Sequence, residues 1–152
     1  MTADATMTTP TTAPVAAGLF TWPSDEPQLI GGACHACGAV AFPRPPSCSR
    51  CTSEEVEEHL LSRAGRLWSW TVQRFQPKEP FLGPEPFVPY GVGYVDLAGE
   101  VLVEARLTTA DPVQLEIGQP VQLVIVPFAA TDDGTELLTF AFRPSTGEVV
   151  QP

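Results

Sequence analysis

Positive charge and histidine are both scarce in this chain. Its 152 residues include only eight Lys or Arg against 18 Asp or Glu, only two are His, and the formal net charge is −10. Nucleic-acid binding needs a basic face that neutralises phosphates, and anionic membranes attract basic segments. The composition therefore predicts a protein that binds neither nucleic acid nor a membrane surface.

Long apolar runs and export signals are also missing. No stretch approaches the roughly 20 consecutive apolar residues that cross a bilayer. The first 18 residues are rich in Thr, Ala and Pro and lack the cationic start of a signal peptide. We therefore expect a cytoplasmic protein in which residues 1–19 form a disordered tail. The alternative is a tail that becomes ordered against a partner.

Familiar catalytic motifs are absent from the sequence as well. It contains no G-x-S-x-G, no H-E-x-x-H, no phosphate-binding loop and no G-x-G-x-x-G that opens a helix. Neither His35 nor His59 has an evident nucleophile nearby in sequence, and no carboxylates stand out as an acid/base couple. The sequence therefore predicts that the chain is not an enzyme by itself.

Apolar residues, proline and glycine are plentiful by contrast. The hydrophobic fraction is 43%, with 17 Pro and 12 Gly. This composition can bury a core, while Pro and Gly interrupt long helices and favour turns. A mainly β fold is expected.

The cysteines form two matched pairs. Each pair is a C-x-x-C turn, and ten residues separate the pairs. Such turns place two thiolates side by side, and two turns joined by a hairpin make a tetrahedral cage of four sulfurs. We therefore predict a structural zinc ribbon over residues 20–60, closed to water and substrate. Its predicted ligands are Cys34, Cys37, Cys48 and Cys51.

Other uses of these cysteines stay open. Iron suits the same four-sulfur geometry, although zinc is favoured. Two disulfides would require an oxidising compartment, and a redox C-x-x-C would be expected once, beside a βαβ unit. His35 lies inside the first turn and is a weak alternative ligand. The acidic residues 52–59 that follow predict a solvated connector, with a turn of helix as the alternative.

The second half of the chain, residues 61–152, alternates between apolar and polar residues with the period of a strand. Glycines at positions 91 and 93 suggest bends or a close backbone approach. A five-stranded OB-fold barrel is predicted, with a small open sandwich as the alternative. The predicted strands cover residues 67–72, 90–97, 101–107, 121–126 and 136–142.

A long insert separates the first two of these strands. Residues 73–89 carry five prolines and three phenylalanines, too apolar a composition for a simple solvated loop. Aromatic side chains on a stiff backbone suit a partner surface or a ligand channel. The alternative is an ordinary loop that packs over the mouth of the barrel.

Several short motifs follow one another along the chain. They are L-I-G-G-A-C-x-x-C-G at residues 29–38, F-P-R at 42–44, C-x-x-C at 48–51 and G-x-L-W-S-W-T-V at 65–72. Y-G-V-G-Y-V at 90–95, I-G-Q-P-V at 117–121 and F-A-F-R-P at 140–144 continue the series. In this order the motifs resemble the domain-of-unknown-function 35 family. The resemblance covers about residues 20–144 and implies a rubredoxin-like zinc ribbon followed by an OB-fold.

The resemblance also implies a role. Members are small non-catalytic subunits of thiolase-fold enzymes that act on acyl-CoA, namely thiolases, sterol-carrier-type thiolase homologues and retro-aldolases of steroid or aromatic side-chain degradation. The catalytic residues belong to the partner, and the small subunit stabilises it and shapes the entrance for acyl-CoA. A heterotetramer with two copies of each chain is expected. The alternative is an OB-fold binding module or a scaffold for another assembly.

If acyl-CoA passes along this subunit, its phosphates need cations. Arg74 and Lys78 lie in the insert and are two of only eight cations in the chain. We expect them to contact CoA phosphates, and Phe75, Phe81 and Phe87 to form the channel wall or the interface. Solvated side chains, or pairs with Glu79 and Glu85, are the alternative for the two cations.

Overall fold

The computed structural model describes residues 11–80 and 86–145. Residues 1–10 of the expected tail and Phe81 of the insert lie outside the described residues. Strands dominate the described part, as predicted, and none of its helices is long and apolar enough to cross a membrane. The elements are β1 (Thr12–Pro14), β2 (Ile30–Cys34), β3 (Val40–Ala41), β4 (Val56–Leu60), β5 (Ala64–Gln73), β6 (Tyr90–Leu97), β7 (Val101–Leu107), a 3-10 turn (Pro112–Gln114), β8 (Pro120–Ala130) and β9 (Glu136–Pro144).

Five of these strands close into a barrel. β5 pairs with β6, β6 with β7, and β8 with both β5 and β9, all antiparallel. A parallel pairing of β7 with β9, at Arg106↔Ala141 and Leu107↔Phe142, completes the ring. The observed order confirms the predicted five-stranded OB-type barrel and excludes the open sandwich. All five predicted strands are present, and β5, β8 and β9 run further than predicted.

The glycines of β6 allow the backbones to approach closely, as the sequence suggested. A Cβ atom on Gly91 would lie 2.3 Å from the carbonyl oxygen of Thr109, and one on Gly93 would lie 2.6 Å from that of Ser69. Backbone atoms cannot move away as a side chain can. Glycine is therefore required at these positions to bring the neighbouring chain against the strand.

The ribbon is a three-stranded antiparallel sheet in the order β3-β2-β4. The expected solvated connector at residues 52–59 is corrected here, because Val56–Leu60 forms β4 and pairs with β2 from Ile30↔Leu60 to Cys34↔Val56. Only Val56 of β4 is buried. Because backbone pairing rather than side-chain burial holds this strand, its acidic side chains gave no sign of it in the sequence.

The expected disordered tail also needs a correction over its second half. Thr12–Pro14 forms β1, which pairs in parallel with β9 from Thr12↔Glu136 to Pro14↔Leu138. Val15 continues the contact, since its backbone N–H donates to the carbonyl of Leu138 at 2.7 Å. The backbone hydrogen bonds of β9 thus order a segment whose composition alone predicts disorder.

The ribbon and the barrel share one hydrophobic core. Phe20 and Leu29 from the ribbon, and Leu61 directly after β4, pack in the same buried cluster as the barrel residues, among them Phe142, which is fully buried. The rings of Phe42 and Phe140 also meet edge to face, with centroids 5.4 Å apart. The ribbon and the barrel are therefore packed onto each other through apolar side chains.

Candidate metal centre

The first cysteine turn is closed by backbone hydrogen bonds. The N–H of Cys34 donates to the carbonyl of Ala39, and the N–H of Gly38 donates to that of Cys34, each at 2.9 Å. Gly38 has a φ of +78°, in the left-handed region that favours glycine. Because Cys34 ends β2, the sheet fixes where this turn presents its sulfurs.

The second turn repeats the same pattern. The N–H of Cys48 donates to the carbonyl of Ser53, and the N–H of Thr52 donates to that of Cys48, each at 2.8 Å. Thr52 has a φ of +66° and occupies the position that Gly38 holds in the first turn. A β-branched residue is strained in this conformation. The two turns are therefore equivalent in geometry, and one of them carries the less suitable residue.

The four predicted ligands meet between these turns. All four Sγ atoms lie within 4.8 Å of one another. The Sγ atoms of Cys34 and Cys51 are 3.5 Å apart, and those of Cys37 and Cys48 are 3.6 Å apart. In a tetrahedral site with Zn–S distances of about 2.3 Å, neighbouring sulfurs lie about 3.8 Å apart. The arrangement fits a tetrahedral ion, and no disulfide joins these cysteines.

In each turn, backbone hydrogen bonds favour the thiolate at one cysteine. Hydrogen bonds from the backbone of Cys51 and of Arg50 lower the pKa of Cys48 to about 6, and the N–H of Arg50 lies 3.4 Å from its Sγ. A hydrogen bond from the backbone of Cys37 similarly lowers the pKa of Cys34. Cys51 moves the other way: the backbone of Ser53 lowers its pKa, but hydrogen bonding with the side chains of Cys34 and Cys37 raises it to about 12. Since the thiolate is the form that binds metals, Cys34 and Cys48 are the two sulfurs that the turns prepare for a cation.

His35 does not join the four sulfurs. Its Nε2 lies 2.9 Å from Oε2 of Glu57 on β4, and both side chains are largely exposed. The second histidine, His59, lies 3.2 Å from Glu100 in the turn between β6 and β7. His59 therefore links the ribbon sheet to the barrel, and the weak alternative of a histidine ligand has no support among the contacts.

The residues predicted in the insert are only partly brought together. Arg74 and Lys78 are exposed, and neither forms an ion pair with another described residue. Phe75 is 73% exposed. Phe87 is half-buried, and its ring centroid lies 6.1 Å from that of Tyr90. Phe87 is thus the one described phenylalanine of the insert that the structure places against the barrel.

A cluster on the barrel surface escaped the sequence analysis. The guanidinium carbon of Arg106 lies 3.7 Å from the ring centroid of Tyr90 and 4.8 Å from that of Phe128. Arg106 is a lone cation in an otherwise apolar and acidic strand, which is the sequence signal that could have marked it. Its aromatic neighbours are more than ten positions away along the chain, so the sequence of its own strand could not predict these contacts.

A closed five-stranded barrel that carries paired cysteine turns defines the class of zinc-ribbon/OB-fold proteins. Residues 22–57 match the family model described as "ChsH2, rubredoxin-like zinc ribbon domain". Residues 58–126 match "ChsH2, C-terminal OB-fold domain". The chain belongs to the DUF35 family, as the resemblance predicted.

Named relatives support this membership. The chain is 35% identical over 118 residues to a "DUF35 domain-containing scaffold protein" of Pyrococcus furiosus, covering 77% of this chain and 83% of the relative. It is 32% identical to "Benzoylsuccinyl-CoA thiolase subunit BbsA" of Thauera aromatica, covering 77% and 76%. A solved structure titled "Ltp2-ChsH2(DUF35) aldolase" superimposes with a TM-score of 0.58 at 26% identity, over 77% of this chain and 84% of that one.

Exchanging the residue at positive φ should have opposite effects on stability in the two cysteine turns. Gly38→Thr should lower the free energy of unfolding by about 1–2 kcal/mol, because a side chain at positive φ is strained. Thr52→Gly should raise the free energy of unfolding, but by a smaller amount, since glycine also gives up more conformational entropy on folding. Urea unfolding of the metal-loaded protein measures both changes. Ser49→Gly, in the second turn but without a positive φ, is the control and should be destabilising; a destabilised Thr52→Gly variant would contradict the prediction.

Proposed function

We propose that this chain is a non-catalytic accessory subunit of a thiolase-fold acyl-CoA enzyme. The partner would be a thiolase or retro-aldolase, such as one that degrades steroid or aromatic side chains, and the subunit would stabilise it and shape the passage of acyl-CoA. The observation that carries the proposal is similarity over most of both chains to a named thiolase subunit and to a named aldolase complex. In this role the reacting groups belong to the larger partner.

The cysteine cluster supports a structural rather than a catalytic contribution. With four sulfurs around one ion, a tetrahedral site has no position left for water or substrate. Zinc is the proposed ion, with Cys34, Cys37, Cys48 and Cys51 as its ligands; iron fits the same geometry but is less favoured. When bound, the metal would supply folding energy and no chemistry.

The insert remains the proposed contact region for acyl-CoA. Arg74 and Lys78 are free of described ion pairs and could approach CoA phosphates, while Phe75, Phe81 and Phe87 would form a channel wall or an interface. Phe87 supports the wall assignment through its packing on Tyr90. The complex would be cytoplasmic and contain two copies of each chain.

A scaffold role in another assembly is the second candidate. It is favoured by the printed names of the relatives from Pyrococcus furiosus and Methanothermobacter thermautotrophicus, both "DUF35 domain-containing scaffold protein". The two candidates differ in the partner and share the absence of an active site in this chain.

Metal content is the first test of the proposal. Freshly isolated, reduced protein should contain stoichiometric zinc by elemental analysis. Cys48→Ser should abolish zinc retention and lower the unfolding temperature, because metal binding contributes roughly 10–16 kcal/mol in zinc-finger peptides. Ser49→Ala, in the same turn, is the matched control and should keep its zinc. A protein without stoichiometric zinc or iron would contradict a metal ribbon.

Complex formation is the second test. Co-expression with a thiolase-like protein encoded beside this chain should give a stable heteromer, and light scattering after gel filtration should report two copies of each chain. The partner alone should be less stable or less active than the complex. A chain that purifies alone, is monodisperse and leaves such a partner unaffected would exclude the accessory role.

The insert cations are tested in the reconstituted complex. Arg74→Ala and Lys78→Ala should each raise the KM for acyl-CoA several-fold while leaving complex formation intact, because each removes a charge from a phosphate contact. Arg143→Ala, an exposed arginine on β9, is the control and should leave KM unchanged. Unchanged KM values for both insert variants would exclude these contacts.

A further inference from the structure

Arg106 lies against two aromatic rings on the outer face of the barrel. Its guanidinium carbon is over the Tyr90 ring, 3.7 Å from the centroid, and over the Phe128 ring, 4.8 Å from the centroid. A cation–π contact engages a face of the guanidinium and leaves N–H groups at its edge available for a ligand. The two rings therefore restrict the arginine before any ligand arrives.

Phe128 lies at a bulge in β8. The register of β8 with β9 shifts between Pro127, which pairs with Leu138, and Ala129, which pairs with Leu137, so that Phe128 is the extra residue. Bulges commonly redirect a side chain beside a functional site.

Two adjoining cavities meet at the arginine. One has a volume of about 440 Å³ and is lined by Tyr90, Glu104, Arg106, Phe128 and Thr139, among others. The other has a volume of about 260 Å³ and shares Arg106, Phe128 and Thr139 with the first. Ligand pockets in proteins typically measure roughly 300–1,000 Å³. The guanidinium thus faces space of ligand size, with mostly apolar and aromatic walls.

The charge of Arg106 has no ionic partner in the part of the chain that the structure describes. Glu104 lines the larger cavity but lies outside ion-pair distance of the guanidinium. Burial lowers the pKa of Arg106, although the nearby Tyr90 acts in the opposite direction. An anion in the cavity would offset the cost of holding this charge away from water.

The insert emerges at the same end of the barrel. Gln73, the last residue of β5, pairs with Tyr90, the first residue of β6. Arg74 follows Gln73 directly, so the insert begins beside Tyr90, the residue whose ring contacts Arg106. Phe87 packs on the same tyrosine.

We propose that Arg106 is the binding residue for a phosphate of the phosphoadenosine end of acyl-CoA, with Tyr90, Phe87 and Phe128 as aromatic walls for the nucleotide. A planar guanidinium forms bidentate hydrogen bonds with phosphate oxygens, and exposed aromatic faces stack on purine rings. The inference rests on the proposed function for its ligand, and it adds a CoA contact on the barrel to those proposed on the insert.

Calorimetry with the full-length chain and with its reconstituted complex tests this assignment. CoA and ADP should bind, while pantetheine, which has no phosphate, and inorganic phosphate alone should bind at least about tenfold more weakly. Arg106→Gln should weaken CoA binding by about tenfold or more, and Arg106→Lys should fall between, because lysine keeps the charge but loses the planar fork. Arg143→Gln, the exposed arginine on β9, should bind CoA like the unaltered protein.

A measurement on the unaltered protein covers the case in which Arg106 variants fold poorly. Phenylglyoxal modifies arginine, and mass spectrometry reports the extent at each site. ADP and CoA should protect Arg106 and leave Arg143 reactive, whereas pantetheine should protect neither.

Three results would overturn the inference: an unchanged CoA affinity in folded Arg106→Gln protein, equal binding of pantetheine or inorganic phosphate, or no CoA binding by either the chain or the complex. Failure of the proposed function is read separately, from gel filtration. If the Arg106→Gln chain still forms the heteromer and still binds CoA normally, the arginine site is rejected and the accessory role is retained.

Discussion

The ribbon depends on its sulfurs because it has almost nothing else of its own to bury. Its separate hydrophobic cluster consists of Cys34, Cys48 and Val56, with Cys37 and Ala39 partly buried beside them. A core of this size cannot offset the conformational entropy of three short strands and two tight turns. An ion that cross-links four points of the chain would supply the missing free energy, and backbone hydrogen bonds lower the pKa of one thiol in each turn, Cys34 and Cys48, toward the form that binds it.

The barrel is stabilised by its buried hydrophobic core, and part of that core also supports the ribbon. Phe20, Leu29 and Leu61 extend the barrel core beneath the ribbon sheet, and Phe42 meets Phe140 across the junction. The metal centre therefore lies on a rigid base rather than at the end of a flexible linker. For an accessory subunit, such a joined body would present the ribbon and the barrel to a partner as one continuous surface.

Much of this architecture could be predicted from the sequence, because its signals are local. Matched C-x-x-C turns and two-residue alternation identify the ribbon and the five barrel strands. β4 and β1 could not be predicted, since both are held by backbone pairing with distant strands while their side chains are acidic or small. The contacts of Arg106 were hidden for a related reason: Tyr90 and Phe128 lie on other strands, 16 and 22 positions away along the chain, and meet the arginine only in the folded barrel.

The parallel pairing of β1 with β9 has a consequence for how the barrel can meet another protein. β7 does not pair with β9 from Glu136 to Leu138. Along this stretch β1 pairs with β9 and uses backbone donors and acceptors that would otherwise have no strand partner. A foreign strand cannot add to the sheet along this stretch without first displacing the chain's own segment. Recognition there must use side chains instead, which makes it selective and protects the barrel from indiscriminate edge-to-edge aggregation.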